Sequence, residues 1–349
     1  MITKSLADTF AFAADARRSF SLAFCLLSPL ALIACPGGSG PTPNTANTAA
    51  SPSATVAATS AFDGEKALEH VRKQVEFGPR PPGSPQLEQT RSYIVGQLKS
   101  YGLNVVLDEF HAATPIGDKR MVNITAELPG ASRDVIIIAS HYDTKLFKDF
   151  RFVGANDAGS STGALLEIAR IMAATKADRK FTYWFVFFDG EEAFCESWDQ
   201  CSKPGAPDNT YGSRHYVDQL KSKNELSRVR AMILLDMIGY KNLQFGRDDA
   251  STTWLLDIVW RTARELGHSS VFQNRPEGVG GDDHEPFLKV SVDSLDIIQL
   301  NSYKSPSGEE YWHTAGDTLD KISAKSLKIV GDVILASLPK VEERLASKR

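Results

Sequence analysis

From residue 62 onward the chain alternates between two kinds of hydrophobic pattern. Apolar residues recur at helical spacing over Glu65 to Glu76, Gln86 to Tyr101, Ser161 to Ala174, Tyr211 to Lys221, Thr253 to Leu266 and Ala324 to Leu345, which predicts amphipathic helices. Between them lie short apolar runs that predict strands: Asn104 to Asp108, Met121 to Leu128, Asp134 to Ser140, Thr182 to Phe188, Arg230 to Leu235 and Leu295 to Leu300. The runs Val135-Ile136-Ile137-Ile138-Ala139 and Trp184-Phe185-Val186-Phe187-Phe188 have no polar face, so these strands are expected to be covered on both sides. The pattern predicts an α/β fold: a central, largely parallel sheet between helical layers, in one domain over residues 61–349.

The first 60 residues differ in character. Arg17 and Arg18 precede an apolar run from Phe20 to Ile33, broken by Ser21, Ser28 and Pro29 and too short to span a bilayer, so residues 1–35 read as a secretory signal. The end of that run, Leu32-Ile33-Ala34-Cys35, resembles a bacterial lipobox. Cleavage before Cys35 and lipid on its thiol would anchor the protein without a span; ordinary signal cleavage near this point is the alternative. Residues 36–60 are almost entirely Pro, Gly, Ser, Thr, Ala and Asn, which bury too little apolar surface to offset backbone ordering, and read as a flexible linker. The bacterial envelope or periplasm is the expected location, and a monomer the expected state.

Composition narrows the partners. Of 349 residues, 42% are hydrophobic and 23% charged, which excludes a disordered or collagen-like chain. The net charge of −4 and the absence of any Lys- or Arg-rich run argue against a nucleic-acid groove, leaving a small molecule or a peptide as the expected partner. After removal of the signal, Cys195 and Cys201 are the cysteines of the folded domain; in an exported protein they could pair and staple one loop, and neither fits a zinc-finger spacing.

Candidate chemistry falls just past the strand ends, where functional groups collect in an open α/β sheet. The third run leads into His141-Tyr142-Asp143, the fourth into Asp189-Gly190-Glu191-Glu192 and the fifth into Asp236; Trp312-His313-Thr314 follows the sixth after a loop. Asp157, in Gly154-Ala155-Asn156-Asp157-Ala158-Gly159, opens the Ser161 helix. Each residue alone is ordinary, a cap or a solvated acid. Together, imidazoles and carboxylates on one sheet edge are the ligand set of borderline zinc, with three protein ligands and an open position in a catalytic site.

These residues resemble the zinc aminopeptidase superfamily, whose fold is a three-layer α/β/α sandwich with a central mixed, largely parallel sheet. Longer strings are more similar to the animal-type glutaminyl cyclases: His141-Tyr142-Asp143-Thr144-Lys145, Phe187-Phe188-Asp189-Gly190-Glu191-Glu192-Ala193-Phe194, Tyr211-Gly212-Ser213-Arg214-His215, Leu234-Leu235-Asp236-Met237-Ile238-Gly239, Asp282-Asp283-His284-Glu285-Pro286-Phe287-Leu288 and Trp312-His313-Thr314.

The resemblance implies one zinc held by Asp157, Glu192 and His313, Glu191 as general acid/base, and Asp236 and Asp282 as a carboxylate relay with it. It implies Trp198 and Trp312 as walls of a substrate pocket, with Ser197 as the alternative to Trp198 because the alignment of the cysteine loop is open. Where the animal enzymes carry a glutamine and an aromatic residue, this chain has Gly281 and Gly308. The implied activity converts the N-terminal glutamine of peptides or proteins to pyroglutamate, with release of ammonia. The alternative is an aminopeptidase with two zinc ions, His141 and Asp236 serving as further ligands and Asp157 bridging.

Overall fold

The computed structural model describes residues 62–347. The signal, lipobox and linker expectations, Cys35 included, lie outside the described residues.

The sheet is built from β1 (Asn104–Thr114), β2 (Gly117–Leu128), β3 (Val135–His141), β4 (Thr182–Phe188), β5 (Val229–Asp236) and β8 (Ser294–Ile298), in the order β1-β2-β4-β3-β5-β8. The pairings of β1 with β2 and of β2 with β4 are antiparallel, and those of β4 with β3, β3 with β5 and β5 with β8 are parallel, which is the mixed sheet expected. A two-stranded parallel sheet, β6 (Phe245–Asp248) with β7 (Phe272–Glu277), lies outside it.

Alternation along each strand divides the core into two layers. Ile136, Ile138, Phe185, Phe187, Ile233 and Leu235 pack with the helices α1 (Gly64–Phe77), α2 (Pro85–Ser100), α3 (Gly159–Ala174), α5 (Thr253–Glu265) and α7 (Ala324–Ala346). Val135, Ile137, Ala139, Val186 and Leu234 point the other way, toward α4 (Tyr211–Ser222) and the short α6 (Glu285–Leu288). Each such Ile, Leu or Phe contributes about 1.5–3 kcal/mol on burial, so the six-stranded sheet is a stiff platform for the loops at its edge.

Helix starts are set by side chains seen in the sequence. Asp63 accepts the amides of Glu65 and Lys66 ahead of α1, Ser84 accepts that of Leu87 with Pro85 at the first position of α2, and Ser323 accepts that of Ser326 ahead of α7. The expected helices and strands are present within a few residues, with one larger difference. β1 runs to Thr114 rather than Asp108, because its backbone ladder with β2 continues beyond the core to Thr114 opposite Gly117, where side-chain pattern carries no signal.

Candidate metal and catalytic centre

The parallel strands β3, β4, β5 and β8 end on one edge of the sheet, and the candidate residues meet there. His141 is the last residue of β3, Glu191 and Glu192 follow β4, and Asp236 ends β5. Asp157 stands two residues ahead of α3, and His313 comes from the loop before α7. Asp157, Glu191, Glu192, Trp198, Asp236, Asp282, Trp312 and His313 line one cleft together with the Val279–Gly281 segment. Of the residues expected at the site, His141 alone does not line the cleft; it lies buried beneath it against Asp157 and Asp236. Trp198 rather than Ser197 lines the cleft, as does Gly281.

Two ligand sets converge on Asp157. His313 Nε2 is 3.4 Å from Asp157 Oδ2 and 3.2 Å from Glu192 Oε1. His141 Nε2 is 3.2 Å from Asp157 Oδ1 and 3.2 Å from Asp236 Oδ1. Ligands about 2.0 Å from a tetrahedral zinc lie about 3.3 Å from one another, so the contacts of His313 with Asp157 and Glu192 and those of His141 with Asp157 and Asp236 all have the spacing such an ion requires. The buried Glu192 Oε2 has no hydrogen-bond partner, as suits a carboxylate awaiting a cation. The backbone also bears on the site: His313 has φ +54°, a left-handed conformation that costs free energy in any non-glycine residue.

Charge at the site follows from burial and proximity. Burial pushes the Glu191 carboxyl well above the usual range; His141 opposes this, while Glu192, Asp282 and Asp283 add repulsion. Asp236 is pushed up to about 7 by burial, against the pull of His141. Burial works against a charged His313, but Glu192 and Asp157 prevail and raise it to about 9. Asp157 is the reverse case: burial alone would raise its carboxyl, and hydrogen bonds from His141 and His313 hold it below the usual range. So many buried carboxylates at one point call for cations.

Several residues that hold this geometry carried no assigned role in the sequence. Asp143 accepts the amides of Glu191 (3.2 Å) and Glu192 (3.4 Å), fixing the turn that presents both. Asp317 accepts the amides of Asn156 and Asp157, and its remaining partner is the Tyr303 hydroxyl at 2.7 Å. Arg80, fully buried, donates to the carbonyls of Val153 and Gly154, just ahead of Asp157. Gly154 has φ +49°, and a Cβ there would stand 1.8 Å from the Asp157 carbonyl oxygen, so only glycine fits that turn. The two carboxylates expected to relay with Glu191 bond elsewhere: Asp236 accepts from His141, and Asp282 accepts the Asp283 amide and faces His284 and Asp296. Asp143, two residues past His141, and Gly154, in the string around Asp157, had a sequence signal; Arg80, Tyr303 and Asp317 have no spacing to mark them.

Comparison with known proteins agrees with this geometry. The profile of Peptidase family M28 matches residues 123–338. Among solved structures, a glutaminyl cyclase from an Acidobacteriales bacterium superposes with a TM-score of 0.75 at 37% identity, covering 82% of this chain and 97% of that one. The bovine glutaminyl-peptide cyclotransferase is 30% identical over 288 residues, 73% of this chain and 76% of its own length. The bovine glutaminyl-peptide cyclotransferase-like protein is 31% identical over 266 residues, 68% of this chain and 66% of its own length. A match spanning most of the folded domain, at a site whose imidazoles and carboxylates are spaced to hold metal, places the chain in peptidase family M28 and, within it, among the glutaminyl cyclases.

Proposed function

We propose that this protein closes the N-terminal glutamine of peptides or proteins to pyroglutamate, using one zinc ion held by Asp157, Glu192 and His313. The observation that carries the reading is the position of Glu191: a buried carboxyl on the same cleft as the ligand set and adjacent in sequence to the ligand Glu192.

The substrate brings its own nucleophile, the α-amine, so holding the side chain folded between Trp198 and Trp312 supplies most of the proximity. A zinc ion at the ligand set supplies Lewis acidity toward the γ-carbonyl oxygen. As the amine nitrogen bonds to the γ-carbon, Glu191 accepts the amine's proton, and it returns that proton to the amide nitrogen as the C–N bond breaks and ammonia leaves. A carboxyl raised by burial suits a group that must both take and give a proton near neutral pH. Asp282, on the same cleft, keeps the proton on Glu191 within reach of the substrate by opposing a further negative charge there, and Asp236 lines the cleft beside them.

A second reading, hydrolysis by a two-zinc aminopeptidase, is favoured by one observation: His141 and Asp236 complete a second ligand set around Asp157. Elemental analysis of active protein, together with ammonia release from a glutaminyl peptide, tests the choice. One zinc per chain with stoichiometric ammonia supports the cyclase; two zincs and no ammonia support the peptidase.

Export to a bacterial envelope, with lipid on Cys35, is proposed alongside. The bond between Cys195 and Cys201 fits an oxidising compartment.

A further inference from the structure

Trp198 stands on an irregular segment between β4 and α4, and its ring is half-buried. A large ring on such a segment must be ordered before it can serve as a wall, and ordering it at the moment of binding costs affinity. The surroundings divide the segment into an anchored limb and an outer limb. On the anchored side, the Asp208 carboxylate accepts the Cys195 amide at 2.9 Å and the Tyr211 hydroxyl at 2.6 Å. The buried Lys145 ammonium donates to the Ala193 carbonyl at 2.8 Å and lies 5.4 Å from the centre of the Trp198 ring. The outer limb is held by short-range contacts: the Ser202 hydroxyl donates to the Trp198 carbonyl and accepts the Asp208 amide at 2.9 Å, its hydrogen bond to the anchored side, and the Glu196 amide donates to Gln200 Oε1 at 2.9 Å. The disulfide from Cys195 to Cys201 joins the two limbs, with Trp198 at the midpoint of the ring it closes.

We infer that the Cys195–Cys201 disulfide is a positioning element of the active site, holding the Trp198 ring 6.3 Å from the His313 ring as a pre-ordered wall of the substrate cleft. The inference rests on the reading of Trp198 as a substrate wall. Glu191, Glu192 and Asp157 are fixed by Asp143 and Asp317, both outside the closed ring, so opening the disulfide loosens substrate binding and leaves the chemistry in place.

The test is steady-state kinetics on a Gln-initiated peptide with four full-length proteins: wild type, Cys195→Ser with Cys201→Ser, Trp198→Ala, and the triple variant, each with metal content and melting temperature recorded. Removing the disulfide is expected to raise KM about tenfold, the scale of ordering one loop and its side chain on binding, with kcat within about twofold and metal content unchanged. Trp198→Ala is expected to raise KM as well, and the triple variant to match it, since the disulfide acts through that ring. An unchanged KM in the double-serine protein, or a further rise when the disulfide is removed from Trp198→Ala, overturns the inference. An unchanged KM in Trp198→Ala overturns instead the reading of that ring as a wall. Reduction of the folded wild type by a water-soluble phosphine guards against misfolding of the variants. The phosphine becomes its oxide with oxygen from water, and the disulfide takes two electrons and two protons to give two thiols. KM is expected to rise on reduction and to fall back on reoxidation; a KM indifferent to both contradicts the positioning role.

Discussion

Asp317 holds Asp157 in place from 160 residues away: one of its carboxylate oxygens accepts the Asp157 amide at 3.1 Å, while the other takes the neighbouring Asn156 amide at 2.8 Å. A ligand presented this way depends on its support as much as on its own carboxylate. Asp317→Asn replaces one of the two acceptors with a donor, and zinc affinity is expected to fall about 10- to 100-fold, the usual cost of losing an outer partner. Competition with a chromophoric chelator measures it, and an affinity equal to wild type would remove Asp317 from the account.

Glu191 and Glu192 are neighbours in sequence to which the proposed mechanism gives separate duties. Glu191→Gln keeps the shape and removes the proton carrier, so turnover is expected to fall by a factor on the order of 100 or more while zinc stays bound. Glu192→Gln is expected to lose zinc. Metal analysis beside kcat separates the two, and the opposite assignment follows if the first variant loses metal and the second keeps it.

His70 gives the fold a pH dependence away from the site. Burial, aided by Arg170, pushes its imidazole down from 6.5 to about 4, and Tyr93 holds its Nδ1 at 2.6 Å. Between these values the unfolded chain binds the proton and the folded chain does not, so stability rises with pH across the window. The contribution is complete above pH 6.5 and is lost as pH falls toward 4. The shift corresponds to about 3 kcal/mol between the two ends. Urea unfolding of wild type and His70→Gln, side by side from pH 4 to 7, is expected to show a shallower slope in the variant; parallel slopes would mean that His70 titrates normally.

The parts of the fold legible in the sequence are those whose side chains report their surroundings. β3 and β4 are covered on both faces and contain nothing but apolar or uncharged residues before their ends, so the acids and histidines that follow stand out. β6 and β7 were invisible for the opposite reason. The Phe272–Glu277 segment reads Phe-Gln-Asn-Arg-Pro-Glu, and what fixes it beside β6 is backbone pairing together with the Glu277 carboxylate accepting the Gly246 amide at 3.0 Å. The proposed ligands stand out in the sequence because zinc chemistry restricts residue type. Asp143 and Asp317 act on backbone amides, a task any acid can perform, and only folding brings them to their partners.

The central claim, cyclisation at a metal site rather than hydrolysis, is tested most directly by mass spectrometry of two peptides that differ in their first residue, Gln in one and Leu in the other, after incubation with the protein. The Gln peptide is expected to lose one ammonia and keep every peptide bond, and the Leu peptide to remain unchanged. Removal of the leading residue from either peptide, with no ammonia lost from the Gln peptide, would contradict the account and assign the site to an aminopeptidase with His141 and Asp236 as second-metal ligands.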